Sequence, residues 1–356
     1  MEIISKYEMT PPKITVFRAD SSKETGTGHV MRCLAFAEAL KDRGVDIVFI
    51  TYCQSDALIE RLEGEGFRVY RLKNYYPSAE SIDESIGYLK QFTDCWVICD
   101  GVLFDQKYYE LIKNLGFKLL VTDDMAREQF YSADIVLNQN LHALDLKYNC
   151  APGTRLLLGN EFVILRREFL KYIGIKKQFN SGLTRIIITL GGMDSNNYTE
   201  KILLMIKDML CTNQVKEALE LTVITGGGNK NADRIRAIEM PVQTTCLHNV
   251  TNMPERMSTH DIAITSGGTT VWELAFMGVP SIVGRTAPIE DYLVNGLRKY
   301  GLFADAGWFE TLTREDFIGI LLTLIHDKEL QVEMSVKAQS LIDGRALSKL
   351  VHYLSL

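Results

Sequence analysis

Short, mostly apolar segments alternate with amphipathic stretches along the chain. Residues 13–17, 46–51 and 67–72 have the length and composition of strands, whereas residues 33–40 and 55–65 carry apolar side chains at helical spacing. Because strands and helices alternate in this way, the pattern predicts an α/β fold built on parallel sheets.

A second set of alternating elements follows a polar stretch. Residues 176–182 are the best candidate for a linker, and a β-branched strand, residues 185–190, begins just after it. With 356 residues the chain has the length of about two domains. We place them at residues 1–175 and 183–344, and we predict three amphipathic helices within residues 313–356.

Acidic residues stand at the ends of three strands in the first half of the chain. The first strand is followed by Asp20, a buried strand by Asp100, and the next strand by Asp123 and Asp124. Ligands of an open parallel sheet collect outside the carboxyl ends of its strands, so we expect these acids and His29 to line one crevice. The alternative is helix capping, which an Asp after a strand often performs and which applies most to Asp124.

The turn between the first strand and the first helix carries a histidine. Gly26 and Gly28 permit the sharp turn, and His29 falls in the first turn of the helix. The N–H groups and the positive dipole end there favour an anionic ligand and a neutral imidazole, the form that a general base requires. Arg32 lies on the same helix face. The alternative is a structural glycine turn with a surface histidine, because short glycine motifs are weak evidence.

Three of the four strand ends in the second half are rich in glycine. The residues concerned are Gly191, Gly192, Asp194, Gly226, Ser266, Gly267, Gly268, Thr269 and Thr270. Glycines let backbone N–H groups approach the oxygens of a diphosphate, and the hydroxyls add donors at a helix start. We add His248 and Val250 from the fourth strand end, and Glu273, which could accept from ribose hydroxyls. The alternatives are tight turns for the glycines and a solvated or capping role for Glu273.

Composition and charge exclude several classes of partner. Hydrophobic residues make up 46% and charged residues 24%, and the formal net charge of −6 argues against a nucleic-acid or anionic-membrane surface. The seven cysteines show no CxxC spacing, so we expect reduced thiols and no zinc site. Residues 1–12 are too polar for a signal peptide, and no apolar run approaches the roughly 18 residues of a membrane helix. We expect a cytoplasmic protein without membrane insertion; its oligomeric state is open.

Several catalytic motifs are missing from the sequence. It has no GxxxxGK[ST] loop, no complete dinucleotide fingerprint and no GxSxG elbow, which argues against a P-loop NTPase, a dinucleotide-dependent enzyme and an α/β-hydrolase. It also lacks an Asp-x-Asp motif, the usual carboxylate ligand for a metal bound to a nucleotide diphosphate. We therefore expect no cofactor and no metal, with loops and helix dipoles stabilising a departing diphosphate.

Taken together, the strand-end motifs resemble one known group. The motifs are Arg18-Ala19-Asp20 with Gly26-x-Gly28-His29-x-x-Arg32, Asp123-Asp124, Leu158-Gly159 with Leu165-Arg166-x-Glu168-Phe169, Leu190-Gly191-Gly192-x-Asp194, and Ser266-Gly267-Gly268-x-Thr270-x-x-Glu273. They resemble the PseG/SpsG group, which contains UDP-2,4-diacetamido-2,4,6-trideoxy-β-L-altropyranose hydrolases of pseudaminic acid synthesis and spore-coat polysaccharide proteins. The resemblance runs from about residue 14 to the end of the chain.

The resemblance implies a GT-B fold, with two Rossmann-like domains facing across a cleft as in the MurG glycosyltransferase. It implies that the first domain holds the sugar and the second the UDP, and that the last helix, residues 345–356, returns to the first domain. It also implies that His29 activates a water that displaces UDP from the anomeric carbon with inversion.

Two positions depart from the pattern of the group and concern the sugar. Asp100-Gly101-Val102 stands where the group has Asp-His-Tyr, and Ile289-Glu290 stands where it has Asn-Gln. We therefore expect the same chemistry on a different sugar. Two other functions stay open: an inverting glycosyltransferase in which His29 deprotonates an acceptor hydroxyl, and a nucleotide-sugar binding protein without turnover.

Overall fold

The computed structural model describes residues 11–22, 25–179 and 182–356. The first ten residues, on which the signal-peptide interpretation mainly rests, lie outside the described residues. So do Lys23 and Glu24 in the turn before His29, and Asn180 and Ser181 in the predicted linker. The described residues divide into two units, each with one parallel sheet.

Unit 1 comprises the described residues up to Gln139, together with Ala143–Arg167 and Arg345–Leu356. Its strands are β1 (Ile14–Ala19), β2 (Asp46–Thr51), β3 (Arg68–Arg71), β4 (Trp96–Asp100), β5 (Lys118–Thr122), β6 (Ile135–Asn138) and β7 (Arg155–Leu158). All neighbours are parallel, in the order β3-β2-β1-β4-β5-β6-β7. The chain order reverses between β1 and β4, which is where open α/β sheets bind ligands.

Four helices connect the first strands of unit 1. They are α1 (Gly28–Lys41), α2 (Asp56–Gly64), α3 (Ala79–Leu89) and α4 (Gln106–Asn114). Ser55, Ser78 and Asp105 cap α2, α3 and α4, because each side chain accepts a hydrogen bond from a backbone N–H in the first turn. The sequence pattern predicted the first three helices but gave no prediction for α4.

Unit 2 comprises Asn140–His142 and Glu168–Gly344. Its strands are β8 (Leu183–Thr189), β9 (Ala218–Thr225), β10 (Thr244–His248), β11 (Ile262–Ser266), β12 (Ser281–Arg285) and β13 (Ala304–Trp308). They are also parallel, in the order β10-β9-β8-β11-β12-β13, so the chain order reverses between β8 and β11. The sequence pattern did not predict β13.

The remaining helices follow in chain order. They are α5 (Tyr198–Cys211), α6 (Ala232–Arg236), α7 (Met253–Thr259), α8 (Thr270–Met277), α9 (Asp291–Arg298), α10 (Arg314–His326), α11 (Lys328–Leu341) and α12 (Ala346–Leu354). Short 3-10 helices occupy Leu141–Asp145, Asn160–Phe162, Arg167–Tyr172 and Pro288–Glu290. The last three α-helices are those predicted for the tail of the chain. In the part of the chain that the structure describes, no helix is both long and apolar enough to cross a membrane.

The sheet of unit 1 is covered by apolar side chains on both faces. On one face Phe17 stacks on Phe49 with ring centroids 5.1 Å apart, and the C-terminal helix α12 adds Leu350 to the same cluster. The indole N–H of Trp96 donates to the carbonyl of Leu354 at 3.0 Å, which fixes the end of α12 beside β4. The last helix of the chain is therefore a structural part of unit 1.

Candidate active site

His29 and Asp100 meet where the strand order of unit 1 reverses. Gly26, with φ of +70°, forms the turn after β1, and α1 then begins at Gly28, so His29 lies in its first turn. Asp100 is the last residue of β4, the neighbour of β1. The Nδ1 atom of His29 lies 2.8 Å from Oδ1 of Asp100. The side chain of His29 is 14% exposed and that of Asp100 is 2% exposed, so the imidazole is the accessible member of the pair.

Arg32 holds the same carboxylate from the next turn of α1. Its Nε donates to Asp100 Oδ2 and its Nη2 to Asp100 Oδ1, both at 2.7 Å. Its remaining donors reach Asp124, with Nη1 at 3.1 Å from Oδ1 and Nη2 at 3.0 Å from Oδ2. Arg32 thus binds two carboxylates from neighbouring strand ends in the two-pronged geometry that suits a guanidinium.

The ion pairs decide the charge state of this cluster. Burial by itself raises the pKa of Asp100, but the charge and hydrogen bonds of Arg32 outweigh it and lower the pKa below its ordinary value. The pKa of Asp124 is lowered for the same reason. An ionised carboxylate can only accept, so Nδ1 of His29 is the donor in its bond to Asp100. In the neutral imidazole the lone pair then resides on Nε2.

Asp20 and Asp123 bind backbone and side-chain groups of the protein itself. Oδ1 of Asp20 accepts from the backbone N–H of Tyr52 at 2.7 Å and from the buried guanidinium of Arg18. Asp123 accepts from the N–H of Met125 at 2.8 Å and from the hydroxyl of Tyr131 at 2.6 Å, so it stabilises the turn after β5. For both residues, substrate binding stays a prediction beside a local role that the structure makes visible.

Asp124 pairs with a side chain and does not cap a helix. The residues between β5 and β6, all of them described, contain no helix, so Asp124 caps none. Its carboxylate pairs with Arg32 instead. Of the acids predicted at the strand ends, Asp100 and Asp124 are the two that the structure brings to one cluster with His29 and Arg32.

The departure at Gly101 has a steric explanation. A Cβ atom at Gly101 would lie 2.9 Å from Cε2 of Phe104, so the Phe104 ring occupies the space that a side chain at Gly101 would need. The guanidinium of Arg18 lies over the same Phe104 ring, 4.6 Å from its centre. Next to them Leu103 is 42% exposed. Phe104 belongs to no catalytic motif, so its role in shaping the segment after Asp100 was not predicted from the sequence.

In unit 2 the carboxyl ends of the strands are built from closely packed glycine loops. A Cβ at Gly226 would lie 2.4 Å from Cα of Gly192, and the N–H of Gly228 donates to the carbonyl of Gly192 at 3.0 Å. Gly191 has φ of +79° and faces the hydroxyl of Ser266, 3.7 Å from an added Cβ. The loops after β8 and β9 therefore meet through backbone atoms, and the loop after β8 faces the Ser266 side chain at the end of β11. Nucleotide binding by these loops stays a prediction.

Asp194 and His248 make local contacts at this edge. The carboxylate of Asp194 accepts from the N–H groups of Tyr198 at 2.8 Å and Thr199 at 2.9 Å and so caps α5. Burial raises the pKa of Asp194. Nδ1 of His248 lies 3.0 Å from the hydroxyl of Thr225. Direct nucleotide contacts of these residues, and of the half-buried Val250 that follows, stay predictions.

The start of α8 differs from that of α5. At α5 the carboxylate of Asp194 accepts from the first N–H groups, whereas at α8 the N-cap residue, Thr269, makes no side-chain hydrogen bond to the first turn. Gly268 precedes it in open space, where an added Cβ would have no close neighbour but the hydroxyl of Ser266 at 4.0 Å. Glu273, one turn into α8, is buried. Of the helix starts beside the glycine loops, that of α8 is the better suited to a phosphate.

His260 has a structural role, and the arrangement of possible metal ligands can also be examined. His260 is buried, with Nε2 2.8 Å from the hydroxyl of Thr222, and burial lowers its pKa. Among the described residues, no three His, Cys, Asp or Glu side chains are grouped so that they could hold a metal ion.

The two-unit architecture is that of the GT-B class. A crystal structure of MurG from Acinetobacter baumannii superposes with a TM-score of 0.64 at 18% identity, covering 96% of this chain and 99% of MurG. Residues 186–284 match the family model of the glycosyltransferase family 28 C-terminal domain. The chain therefore has the predicted GT-B fold.

Three curated relatives connect the sequence to a narrower group. The spore coat polysaccharide biosynthesis protein SpsG of Bacillus subtilis is 24% identical over 341 residues, covering 92% of this chain and 94% of SpsG. The UDP-2,4-diacetamido-2,4,6-trideoxy-β-L-altropyranose hydrolase of Campylobacter jejuni is 26% identical over 226 residues, covering 62% of this chain and 72% of the hydrolase. An uncharacterized protein of Methanocaldococcus jannaschii is 28% identical over 278 residues, which is 74% of this chain but only 54% of that protein. The resemblance to the PseG/SpsG group is confirmed.

Proposed function

We propose that this protein hydrolyses a UDP-activated amino or deoxy sugar at the anomeric C1–O bond, with His29 as the general base. The observation that carries the proposal is the bond from Nδ1 of His29 to Asp100, which directs the lone pair of Nε2 away from the carboxylate. The similarity to a UDP-sugar hydrolase and to a spore coat polysaccharide protein supports UDP and a surface-polysaccharide sugar as the substrate parts.

The chemistry follows from that geometry. Nε2 takes a proton from a water molecule while the water oxygen forms a bond to C1, and the bond from C1 to the diphosphate oxygen breaks with its electron pair going to UDP. Asp100 stabilises the imidazolium that forms, and Arg32 keeps Asp100 ionised and correctly placed. A positioned general base of this kind contributes about 10²- to 10⁴-fold to the rate.

We assign stabilisation of the leaving diphosphate to residues of unit 2. The backbone N–H groups of the glycine loops and the start of α8 favour negative charge, and Glu273 is suited to accept from the ribose. Donors fixed before the reaction need no reorganisation when the charge develops.

A second candidate is an inverting glycosyltransferase that uses the same donor. It is favoured by the match of residues 186–284 to a glycosyltransferase domain. His29 would then deprotonate an acceptor hydroxyl instead of water, and its bond to Asp100 serves either reaction equally.

The test is incubation with a panel of UDP-sugars without any acceptor, followed by mass spectrometry. Hydrolysis predicts equal amounts of UDP and free sugar, and loss of both products in His29→Gln but not in the exposed control His352→Gln. A donor that stays intact until an acceptor is added would support the transferase instead. Binding of UDP with no turnover of any donor or acceptor pair would support a binding protein.

A further inference from the structure

Glu290 holds a turn at the edge of the sheet of unit 2. It ends the short 3-10 helix that follows β12. Its Oε2 accepts from the N–H groups of Thr286 at 2.5 Å and Ala287 at 3.4 Å, and its Oε1 accepts from the hydroxyl of Thr286 at 3.0 Å.

The turn that Glu290 holds lies against the loop at the end of the adjacent strand. Ser266 ends β11 and Thr286 follows β12, and the two strands pair in parallel with Ser266 opposite Gly284. The N–H of Gly267 donates to the carbonyl of Gly284 at 3.1 Å. A Cβ at Gly267 would lie 2.9 Å from Cβ of Glu290, so the loop after β11 rests directly on this side chain. Glu290 is thus placed under the loop that we assign to the diphosphate.

The carboxylate has little capacity left for a ligand. It offers about four acceptor sites, and two N–H groups and the Thr286 hydroxyl use three of them. The neighbouring acid has a different partner, because Asp291 pairs with Nε of Arg285 at 2.5 Å. The chemistry therefore favours a role for Glu290 in shaping the loop over a direct contact with the sugar.

We propose that Glu290 is a positioning residue for the nucleotide. Its carboxylate holds the turn at Thr286 and Ala287, and its Cβ supports Gly267. Together these contacts fix the path of the loop Ser266-Gly267-Gly268 into α8. The proposal rests on the proposed function in one respect, namely that this loop binds the diphosphate.

The first test is the Kd of UDP, measured by calorimetry. In Glu290→Gln a single amide oxygen replaces two carboxylate oxygens and the NH₂ group faces N–H donors, so we expect UDP to bind about tenfold more weakly, the effect of losing one or two such bonds. Glu290→Asp keeps the charge but is one methylene shorter, and we expect a smaller loss. The exposed Glu239→Gln is the matched control and should leave the Kd unchanged. An unchanged Kd in either folded Glu290 variant overturns the proposal.

A double-mutant cycle with Thr286→Ala separates positioning from direct binding. If the Thr286 hydroxyl acts through Glu290, Thr286→Ala weakens UDP binding in the wild type but adds little in the Glu290→Gln background. Losses that multiply would mean that Thr286 binds UDP independently, and would contradict the proposal.

Steady-state kinetics on a UDP-sugar that is turned over give a third measurement. Weaker positioning of the nucleotide predicts a higher KM and also a lower kcat, because the same loop stabilises the charge of the departing diphosphate, while the melting temperature stays that of the wild type. General damage to the fold would lower the melting temperature as well, and that pattern would count against the proposal. Failure of the wild type to bind UDP refutes the proposed function itself, whereas UDP binding that ignores Glu290 refutes only the positioning role.

Discussion

The carboxyl edges of the two sheets share one topology and differ in chemistry. In each unit the chain order reverses beside the first strand, between β1 and β4 or between β8 and β11. At the first edge, charged side chains form a buried cluster around Asp100. At the second edge, glycine backbones pack within van der Waals distance, as Gly192 and Gly226 do. One edge is suited to moving a proton and the other to holding an anion.

The two edges also differ in how they tolerate change. The cluster of unit 1 contains buried charges that are stable only as a set, because an unpaired buried charge costs several kcal/mol. The loops of unit 2 depend on space, because an added Cβ would enter a volume that backbone atoms occupy. Charge-removing and volume-adding substitutions therefore distinguish the two regions.

The largest expected effect is on the rate, at the edge of unit 1. Replacing His29 by Gln removes the base, and we expect kcat to fall by about 10²- to 10⁴-fold. The Kd of UDP should stay the same, because the residues assigned to UDP lie in unit 2. Stopped assays of UDP release and calorimetry with UDP measure the two quantities. A parallel loss of rate and UDP affinity would contradict the division of labour between the edges.

The next effect is on stability in unit 1. Arg32→Met leaves the carboxylates of Asp100 and Asp124 without their main partner, and we expect the free energy of unfolding to fall by about 3–5 kcal/mol. Arg236→Met is the matched control, since Arg236 pairs with Asp233 at 3.1 Å on the surface, where such pairs contribute about 0–1 kcal/mol. Urea unfolding compares them. Equal losses would show that the cluster is not energetically coupled.

A glycine substitution provides the corresponding test in unit 2. Gly226→Ala places a Cβ 2.4 Å from Cα of Gly192, and we expect a loss of about 1–3 kcal/mol together with weaker UDP binding. Gly319 in α10 has open space around its Cα, so Gly319→Ala should be neutral or stabilising by up to about 1 kcal/mol. Thermal unfolding with and without UDP measures both. If Gly226→Ala binds UDP normally, the packed loops are not the nucleotide site.

The smallest expected effect is a pH dependence. Arg32 lowers the pKa of Asp124 below its ordinary value despite the opposing effect of burial. The stability from a lowered carboxylate pKa is complete above the unfolded pKa, near 4, and is lost as the pH falls through the folded pKa. We therefore expect Asp124→Asn to reduce the fall in stability below about pH 4. Urea unfolding across this range would contradict the account if wild type and variant had the same slope.

The sequence predicted the strand ends well because apolar segments and the acids or glycines after them are local signals. His29 and Asp100 were expected at one crevice, and the structure joins them. The partners of Asp20 and Asp123 were not predictable from the sequence. Arg18 and Tyr52 bind Asp20, and Tyr131 binds Asp123, through loop geometry that residue spacing does not encode. The strand β13 was missed because Ala, Asp and Gly dominate it and have low strand propensity.

The central claim is that His29 activates water for attack at C1 of a UDP-sugar. Turnover in water enriched in heavy oxygen, with mass spectrometry of the UDP released, tests it most directly. The account predicts that UDP contains no heavy oxygen, because the C1–O bond breaks and the water oxygen enters the sugar, and that His29→Gln releases almost no UDP. Heavy oxygen in the UDP would place the cleavage at phosphorus, and undiminished release by His29→Gln would remove the histidine from the chemistry; either result would contradict the account.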